Sequence, residues 1–353
     1  MPSHLIFLGT YTRNSSSQGI YAVPLDPATG ALGQPQLVAP AIDPAWLARS
    51  PDGRFLYAIH ASAAQATAFA IAGASGRLTP LPPGPAAAVP ANPPSHLAVD
   101  ASGRTLLAAN YRDGYVASLP IRADGTLGPA TVHRHEGRGP HPARQDKPHP
   151  HSVTLSPDNR YVLVADLGLD RVFSYALDPA AATLAPASPA CVATAPAAGP
   201  RHSAFGRDGR HVYVINELNG TLDVYAYDAG RGALTPAQSV ATLPPDFAGD
   251  NLTAEVRVHP NGRFVYGSNR GHDSIAAFAV DPGSGRLTRI GVTPSGGRTP
   301  RNFALSPDGA WLVCGHQDTP LVTVFRVDPV TGQLSATGHS AIVPAVVCVV
   351  FHA

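Results

Sequence analysis

The sequence has few of the features that mark disulfide-rich, membrane-bound or nucleic-acid-binding proteins. Its three cysteines, Cys191, Cys314 and Cys348, have no ligand or redox spacing, and their odd number argues against a disulfide framework. No apolar stretch approaches membrane-spanning length, and the N-terminus lacks a basic start followed by a long apolar run. The formal net charge is +1, without a block of like charge, so neither nucleic acid nor a membrane surface is an expected partner. We therefore expect a reduced, cytoplasmic protein.

Glycine and proline, in contrast, are abundant, with 34 Gly and 37 Pro in 353 residues. Such a composition excludes a mostly helical protein and favours many turns between short strands. Hydrophobic residues make up 44% of the chain and charged residues 14%, which is typical of a globular protein.

Two sequence patterns recur along the chain. The first is a strand, a tight turn and a second strand, as in SPDGRFLYAIH (50–60), and it occurs six times. Its turn residues are Gly53, Gly103, Asn159, Gly209, Gly262 and Gly309. The second pattern is an apolar strand, a turn and a further strand that ends on leucine. It occurs seven times, with the leucine at 32, 78, 127, 184, 234, 287 and 334.

Four strands per unit and seven units of about 50 residues predict an all-β fold, a seven-bladed β-propeller formed by residues 1–353 as a single domain. Each blade should contain four antiparallel strands. The missing copy of the first pattern is split between the two chain ends. We therefore expect a closing C-terminal strand near residues 345–351 to pair with an opening strand near residues 4–11 inside the first blade.

Polar residues gather at one predicted mouth of the central channel. The start of each innermost strand and the end of the next strand lie on the same rim, because the two strands form an antiparallel hairpin. Innermost strands begin near His149, His151, Arg201, His202, Glu255 and Arg301. The following strands end near Asn110, Asp166, Glu217, Arg270 and Gln317. Segments scattered over 200 residues thus converge, and we predict a ligand-binding or catalytic mouth there.

A histidine-rich segment, HRHEGRGPHPARQDKPHPH (133–151), has two possible interpretations. Imidazole is a common metal ligand, but the spacing matches no tight zinc pattern. A long connection between blades that shapes the mouth is the interpretation we favour. We predict neither a metal nor a cofactor.

With these motifs in view, the chain resembles the propeller-type lactonase family, whose named activity is 6-phosphogluconolactonase. The resemblance covers nearly all of the sequence and rests on motifs in blade order. These are GTYT (9–12), SQGIY (17–21), ANY (109–111), HPHS (149–152), DLGLDR (166–171), GPRH (199–202), INEL (215–218), SNRGHDS (268–274) and TPRNF (299–303). One departure is His60-Ala61, where relatives commonly carry Asn-Glu.

A fungal muconate lactonizing enzyme of the same fold family has a site of one histidine, arginines and one glutamate. By resemblance, His151, Arg201, Glu217 and Arg270 stand at the matching motif positions and are the expected catalytic residues. Arg301, on the next blade, is a natural fifth member. We expect substrate-binding roles for His149, His202, Arg301, Asn110, Asp166, Glu255 and Gln317.

The resemblance implies hydrolysis of a sugar-acid lactone, most of all 6-phospho-D-glucono-1,5-lactone, in the pentose phosphate pathway of carbohydrate metabolism. His151 is the expected general base, with Glu217 as the alternative base or as the group that orients the imidazole. Arg201 and Arg270 would contact the oxyanion and carboxylate, and Arg301 a phosphate. No Gly-x-Ser-x-Gly motif is present.

Two other functions remain open: an isomerase that opens or closes a dicarboxylate lactone (muconate or aldarate), and a non-catalytic propeller that binds a peptide or protein at its mouth. We expect a monomer or a weak homo-oligomer.

Overall fold

Seven four-stranded antiparallel sheets form the described part of the chain, residues 3–82 and 92–352 of a computed structural model. The first strands are β1 (His4–Thr10), β2 (Gly19–Leu25), β3 (Gln36–Pro40), β4 (Pro44–Arg49), β5 (Phe55–His60), β6 (Ala63–Ala72), β7 (Arg77–Pro80), β8 (His96–Val99), β9 (Thr105–Asn110), β10 (Tyr115–Pro120) and β11 (Thr131–Arg134). The middle strands are β12 (Pro150–Leu155), β13 (Tyr161–Asp166), β14 (Arg171–Asp178), β15 (Thr183–Ala193), β16 (Pro200–Phe205), β17 (His211–Asn216), β18 (Thr221–Asp228) and β19 (Ala233–Ala241). The last are β20 (Leu252–Val258), β21 (Phe264–Arg270), β22 (Ser274–Val280), β23 (Leu287–Pro294), β24 (Pro300–Leu305), β25 (Trp311–His316), β26 (Val322–Val327), β27 (Leu334–Ala341) and β28 (Val346–His352).

The chain ends close the ring, as the sequence predicts. The first blade has the order β28-β1-β2-β3, and each of the six others contains four strands consecutive in the chain. Strand β28 pairs with β1 from Leu5↔His352 to Thr10↔Val346. The prediction of a seven-bladed propeller with a split first blade is therefore confirmed. A 3-10 turn at Gly73–Ser75 is the one helical element of the described residues, so nothing there has the length to cross a membrane as a helix.

The apolar core lies between neighbouring blades. Leu107 and Ala109 of β9, for example, pack with Val162 and Val164 of β13 in the next blade. The second strand of a blade is covered on both faces, so β5, β9 and β13 are buried at every residue and consist mostly of apolar side chains without a polar alternation. At the inner hairpins, residues such as Gly53 (φ 72°) adopt the left-handed backbone that a tight turn requires.

Candidate active site

Three of the predicted site residues occupy the same special position in their blades. In β12 the residues Pro150 and Ser152 pair with two consecutive residues of β13, so that His151 between them is the extra residue of a β-bulge. The same shift surrounds Arg201 in β16 and Arg301 in β24. A bulge redirects the side chain of the extra residue. Each of these three side chains lines one pocket at the channel mouth.

At the end of the second strand of a blade, two successive residues have different roles. The last residues of β9, β13 and β17 are Asn110, Asp166 and Asn216, and all three are fully buried. Successive residues of an extended chain point in opposite directions. After β9 and β17 the next residues, Tyr111 and Glu217, accordingly line the pocket.

The pocket at the channel mouth has a volume of about 320 Å³, within the range of small-molecule sites. Its lining carries more positive than negative charge, since Glu217 is the one carboxylate among the described lining residues. Five arginines accompany it: Arg112, Arg144, Arg201, Arg270 and Arg301. Two histidines, His151 and His202, also line the pocket. Such a lining suits an anionic ligand.

Glu217 lies at the centre of these charges. Its Oε2 accepts hydrogen bonds from Arg201 Nε at 2.9 Å and from Arg270 Nη2 at 2.8 Å, and its Oε1 accepts one from Arg144. Burial would raise the pKa of Glu217, but the charges of Arg270 and Arg201 outweigh burial and hold the pKa below its ordinary value. Glu217 is therefore an ionised anchor for guanidinium groups and a poor proton acceptor.

Arg201 and Arg270 are held in place by the backbone as well. Arg201 Nη1 donates to the carbonyl of Ala254 at 2.7 Å, and Arg270 Nη2 donates to that of Thr253 at 2.8 Å. Within the described residues, Arg201 Nη2 and Arg270 Nη1 have no hydrogen-bond partner and remain available to a ligand. Burial, together with the charges of Arg270 and Arg301, lowers the pKa of Arg201 to about 9.

His151 differs from its neighbours because its ring is uncommitted. Its Nδ1 is enclosed without a hydrogen-bond partner among the described residues. Burial, and then the charge of Arg201, holds the pKa of His151 well below 6.5. The imidazole is therefore neutral at neutral pH and able to accept a proton. Leaving a buried polar atom unpaired costs free energy, which is more often tolerated at functional sites than elsewhere.

Trp46 and His202 form the floor of the pocket. They also line a second cavity of about 630 Å³, which opens toward the inner hairpin turns, and so lie between the two cavities. His202 Nδ1 donates to Glu255 Oε2 at 3.2 Å, which leaves Nε2 to accept from Arg201 Nη1 at 3.2 Å. Glu255 lies on the far side of this floor, where burial raises its pKa.

Five of the predicted substrate-binding residues, Glu255 among them, do not line the pocket. Asn110 donates to the carbonyl of Asn92 and to the Tyr115 hydroxyl. Asp166 bonds His135, as discussed below, and His149 Nδ1 lies 2.7 Å from the carbonyl oxygen of Tyr111. Gln317 lines an adjoining groove and accepts from Arg301 Nη1 at 3.3 Å. With Glu255 behind the floor, these residues support the site without lining the pocket.

Sequence reasoning missed other lining residues, among them Tyr11, Trp46, Tyr111 and Arg144. Tyr11 and Tyr111 lie within the motifs GTYT and ANY, but only the blade register shows that they face the pocket. Arg144 lies in the segment between β11 and β12, where neither of the two recurring sequence patterns marks it.

The imidazoles of the histidine-rich segment (133–151) lie in different surroundings and do not form one site. His135 bonds Asp166, His149 stacks on Tyr111 with ring centroids 4.2 Å apart, and His151 lines the pocket. Across residues 3–82 and 92–352, no group of three or more His, Cys, Asp or Glu side chains is arranged to hold a metal ion.

The fold is that of a lactonase family. The model of the seven-bladed β-propeller lactonase family matches residues 5–351, and the chain belongs to that family. It is thus a lactone-hydrolysing enzyme, as the sequence predicts.

Named relatives agree over nearly the whole chain. A 6-phosphogluconolactonase of Bacillus subtilis is 35% identical over 99% of both chains. A periplasmic gluconolactonase of Pseudomonas aeruginosa has a solved structure that is 35% identical over 99% of both chains, with a TM-score of 0.92. A putative 6-phosphogluconolactonase of Bacteroides fragilis is 32% identical over 99% of this chain and 98% of its own, with a TM-score of 0.89.

Proposed function

We propose that this protein hydrolyses a sugar lactone, 6-phospho-D-glucono-1,5-lactone, to 6-phosphogluconate. The observation that carries the proposal is the pocket itself, where a neutral, uncommitted histidine lies among five arginines and one carboxylate. The B. subtilis relative bears the name of this activity. The pocket's excess of positive charge suits a phosphorylated substrate better than a neutral one.

In the proposed reaction, water attacks the lactone carbonyl while His151 takes one proton from that water. The carbonyl oxygen becomes an oxyanion, which the free Nη2 of Arg201 and Nη1 of Arg270 stabilise. The tetrahedral intermediate then collapses, the bond between C1 and the ring oxygen breaks, and the ring oxygen receives the proton from His151. Glu217 keeps both guanidinium groups aligned throughout.

The phosphate is assigned to Arg301. Arg301 is only partly buried, and within the described residues it has no carboxylate partner; its one hydrogen bond goes to Gln317. The guanidinium also lies over the ring of Tyr11, 5.8 Å from the centroid. A cation without an anionic partner at a pocket mouth is available to a ligand's phosphate.

The test is the rate of acid release from freshly made 6-phosphoglucono-1,5-lactone and from glucono-1,5-lactone, each with a blank for spontaneous hydrolysis. We expect a clear preference for the phosphorylated lactone, and Arg301→Gln should abolish the preference through a rise in KM. Arg286→Gln, an exposed arginine outside the pocket, is the control. No rate above the blank on either lactone would overturn the proposal.

A dicarboxylate lactone is the second candidate, because the same arginines also match carboxylates. It would be favoured if muconolactone or an aldaric acid lactone reacted faster than both glucono-lactones. The relation to a muconate lactonizing enzyme and the pentose phosphate pathway both stay predictions. So does the cytoplasmic location, since the P. aeruginosa relative is named a periplasmic protein.

A further inference from the structure

The segment between β11 and β12, residues 135–149, carries an arginine across the pocket mouth. Arg144 in this segment donates from Nη2 to Glu217 Oε1, although Glu217 follows β17 two blades further along the ring. The same nitrogen lies 3.5 Å from the Tyr111 hydroxyl. Arg144 is therefore the third guanidinium on the Glu217 carboxylate, and it comes from outside the sheets that hold the other two.

The position of Arg144 is built into the fold. Its neighbour Gln145 is fully buried and donates from Nε2 to the carbonyl of Leu167 at 2.7 Å and to Asp170 Oδ1 at 2.6 Å. Gln145 Oε1 accepts from the backbone N–H of His141 at 2.9 Å. These bonds fix the backbone of the segment beside the pocket, so the Arg144 side chain projects from a defined position.

Arg144 is also the least committed of the three arginines. Its side chain is 32% exposed, whereas those of Arg270 and Arg201 are 11% and 3% exposed. Arg201 and Arg270 both donate to backbone carbonyls, whereas the Arg144 guanidinium bonds only side chains within the described part of the chain. Exchange of its Glu217 partner for a ligand anion would break no contact with the backbone.

We propose that Arg144 is a specificity-determining residue that leaves Glu217 to bind the anionic group of the incoming lactone. This inference rests on the proposed function and adds a second contact for the phosphate, opposite Arg301 on the ring. Glu217 retains Arg201 and Arg270 after the exchange, so the oxyanion donors stay in place. Arg144 then contributes to substrate affinity and selectivity rather than to the chemical step.

The experiment measures kcat and KM separately for Arg144→Gln on 6-phosphoglucono-1,5-lactone and glucono-1,5-lactone. The control is Arg138→Gln, which removes an exposed arginine of the same segment that does not line the pocket. Loss of one charge-assisted contact should raise KM for the phosphorylated lactone about 10- to 100-fold. The kcat, and the KM for the unphosphorylated lactone, should change little. Arg144→Lys should recover only part of the affinity, because an ammonium group cannot form the bidentate contact.

Three results would overturn the inference: a KM equal to that of Arg138→Gln, an equal rise in KM for both lactones, or a fall in kcat alone. Thermal unfolding of each variant identifies a misfolded protein. If Arg144→Gln is misfolded, the kinetics of Arg144→Lys provide the test instead. Inactivity of the unmodified protein on both lactones would instead count against the proposed function, so the two failures are distinguishable.

Discussion

Two histidine–carboxylate regions lie close together in the sequence and serve different purposes. In the first, His135 Nδ1 lies 2.6 Å from Asp166 Oδ2 and Nε2 lies 2.9 Å from the Tyr175 hydroxyl. In the second, His151 has no hydrogen bond at its Nδ1, and the neighbouring Glu217 is surrounded by arginines.

The two regions differ in how many of their polar side-chain atoms have hydrogen-bond partners. Asp166 also accepts from the backbone N–H groups of His149 at 2.7 Å and Gly168 at 3.0 Å, so the first region ties the histidine-rich segment to its blade. Fully paired groups of this kind rigidify a fold. The second region faces a pocket, and among the described residues His151 Nδ1, Arg201 Nη2 and Arg270 Nη1 have no hydrogen-bond partner there, although Glu217 itself is fully paired. Histidine beside a carboxylate is therefore no sign of catalysis until its hydrogen bonds are counted.

The largest expected effect is that of His151→Ala on activity. Loss of the general base should lower kcat/KM about 10²- to 10⁴-fold. The variant should stay folded with a moderate fall in the thermal midpoint, because the buried ring loses its packing against Tyr111 and His202. Acid-release kinetics and thermal unfolding of the same preparation provide the check. A variant with near-normal kcat/KM would show that His151, like His135, is not the general base.

Glu217→Ala should come next and should affect stability as well as activity. It leaves three arginines without their shared carboxylate, which we expect to lower the free energy of unfolding by about 3–5 kcal/mol. Because the pKa of Glu217 is lowered on folding, its contribution is present above pH 4.5 and is lost as the pH falls further.

Denaturant unfolding measures this change, with exposed Glu136→Ala as the control. A loss of activity without any loss of stability would contradict the role of Glu217 as an anchor.

Asp166→Asn should have the smallest effect and should reverse the pattern of His151→Ala. The substitution weakens the bond to His135 and the backbone contacts, which should cost about 1–3 kcal/mol of unfolding free energy. The kcat should stay within a few-fold, and KM should rise moderately because the segment that carries Arg144 loosens. Denaturant unfolding and steady-state kinetics report both values. A collapse of kcat in a folded variant would place Asp166 in the chemistry.

Most of the architecture is predictable from the sequence, because the repeat determines it. The turn glycines, the buried second strands of the blades and the split first blade all follow from the spacing of short sequence patterns. The channel mouth is predictable for the same reason, and six predicted residues do line the pocket: His151, Arg201, His202, Glu217, Arg270 and Arg301.

The remaining errors arise at the scale of a single residue. Asn110 was expected in the site, yet its neighbour Tyr111 lines the pocket, because adjacent residues of a strand point in opposite directions. The bulge at His151 shifts this alternation by one residue. The proline that precedes the bulged residue is the sequence feature that could have indicated the bulge. Arg144 reaches the site through a segment without a repeat, so its position depends on tertiary bonds such as those of Gln145.

The most direct test of the account is the pH dependence of kcat/KM for the unmodified enzyme and for His151→Asn on the same phosphorylated lactone. The neutral form of His151 is the active base, and it exists above the histidine's pKa, which lies well below 6.5. We predict a kcat/KM that stays level from neutral pH to 6.5 and falls about tenfold per pH unit only at lower pH, with no such fall in His151→Asn. A fall centred at or above pH 6.5, or the same fall in both proteins, would contradict the assignment of His151 as the base.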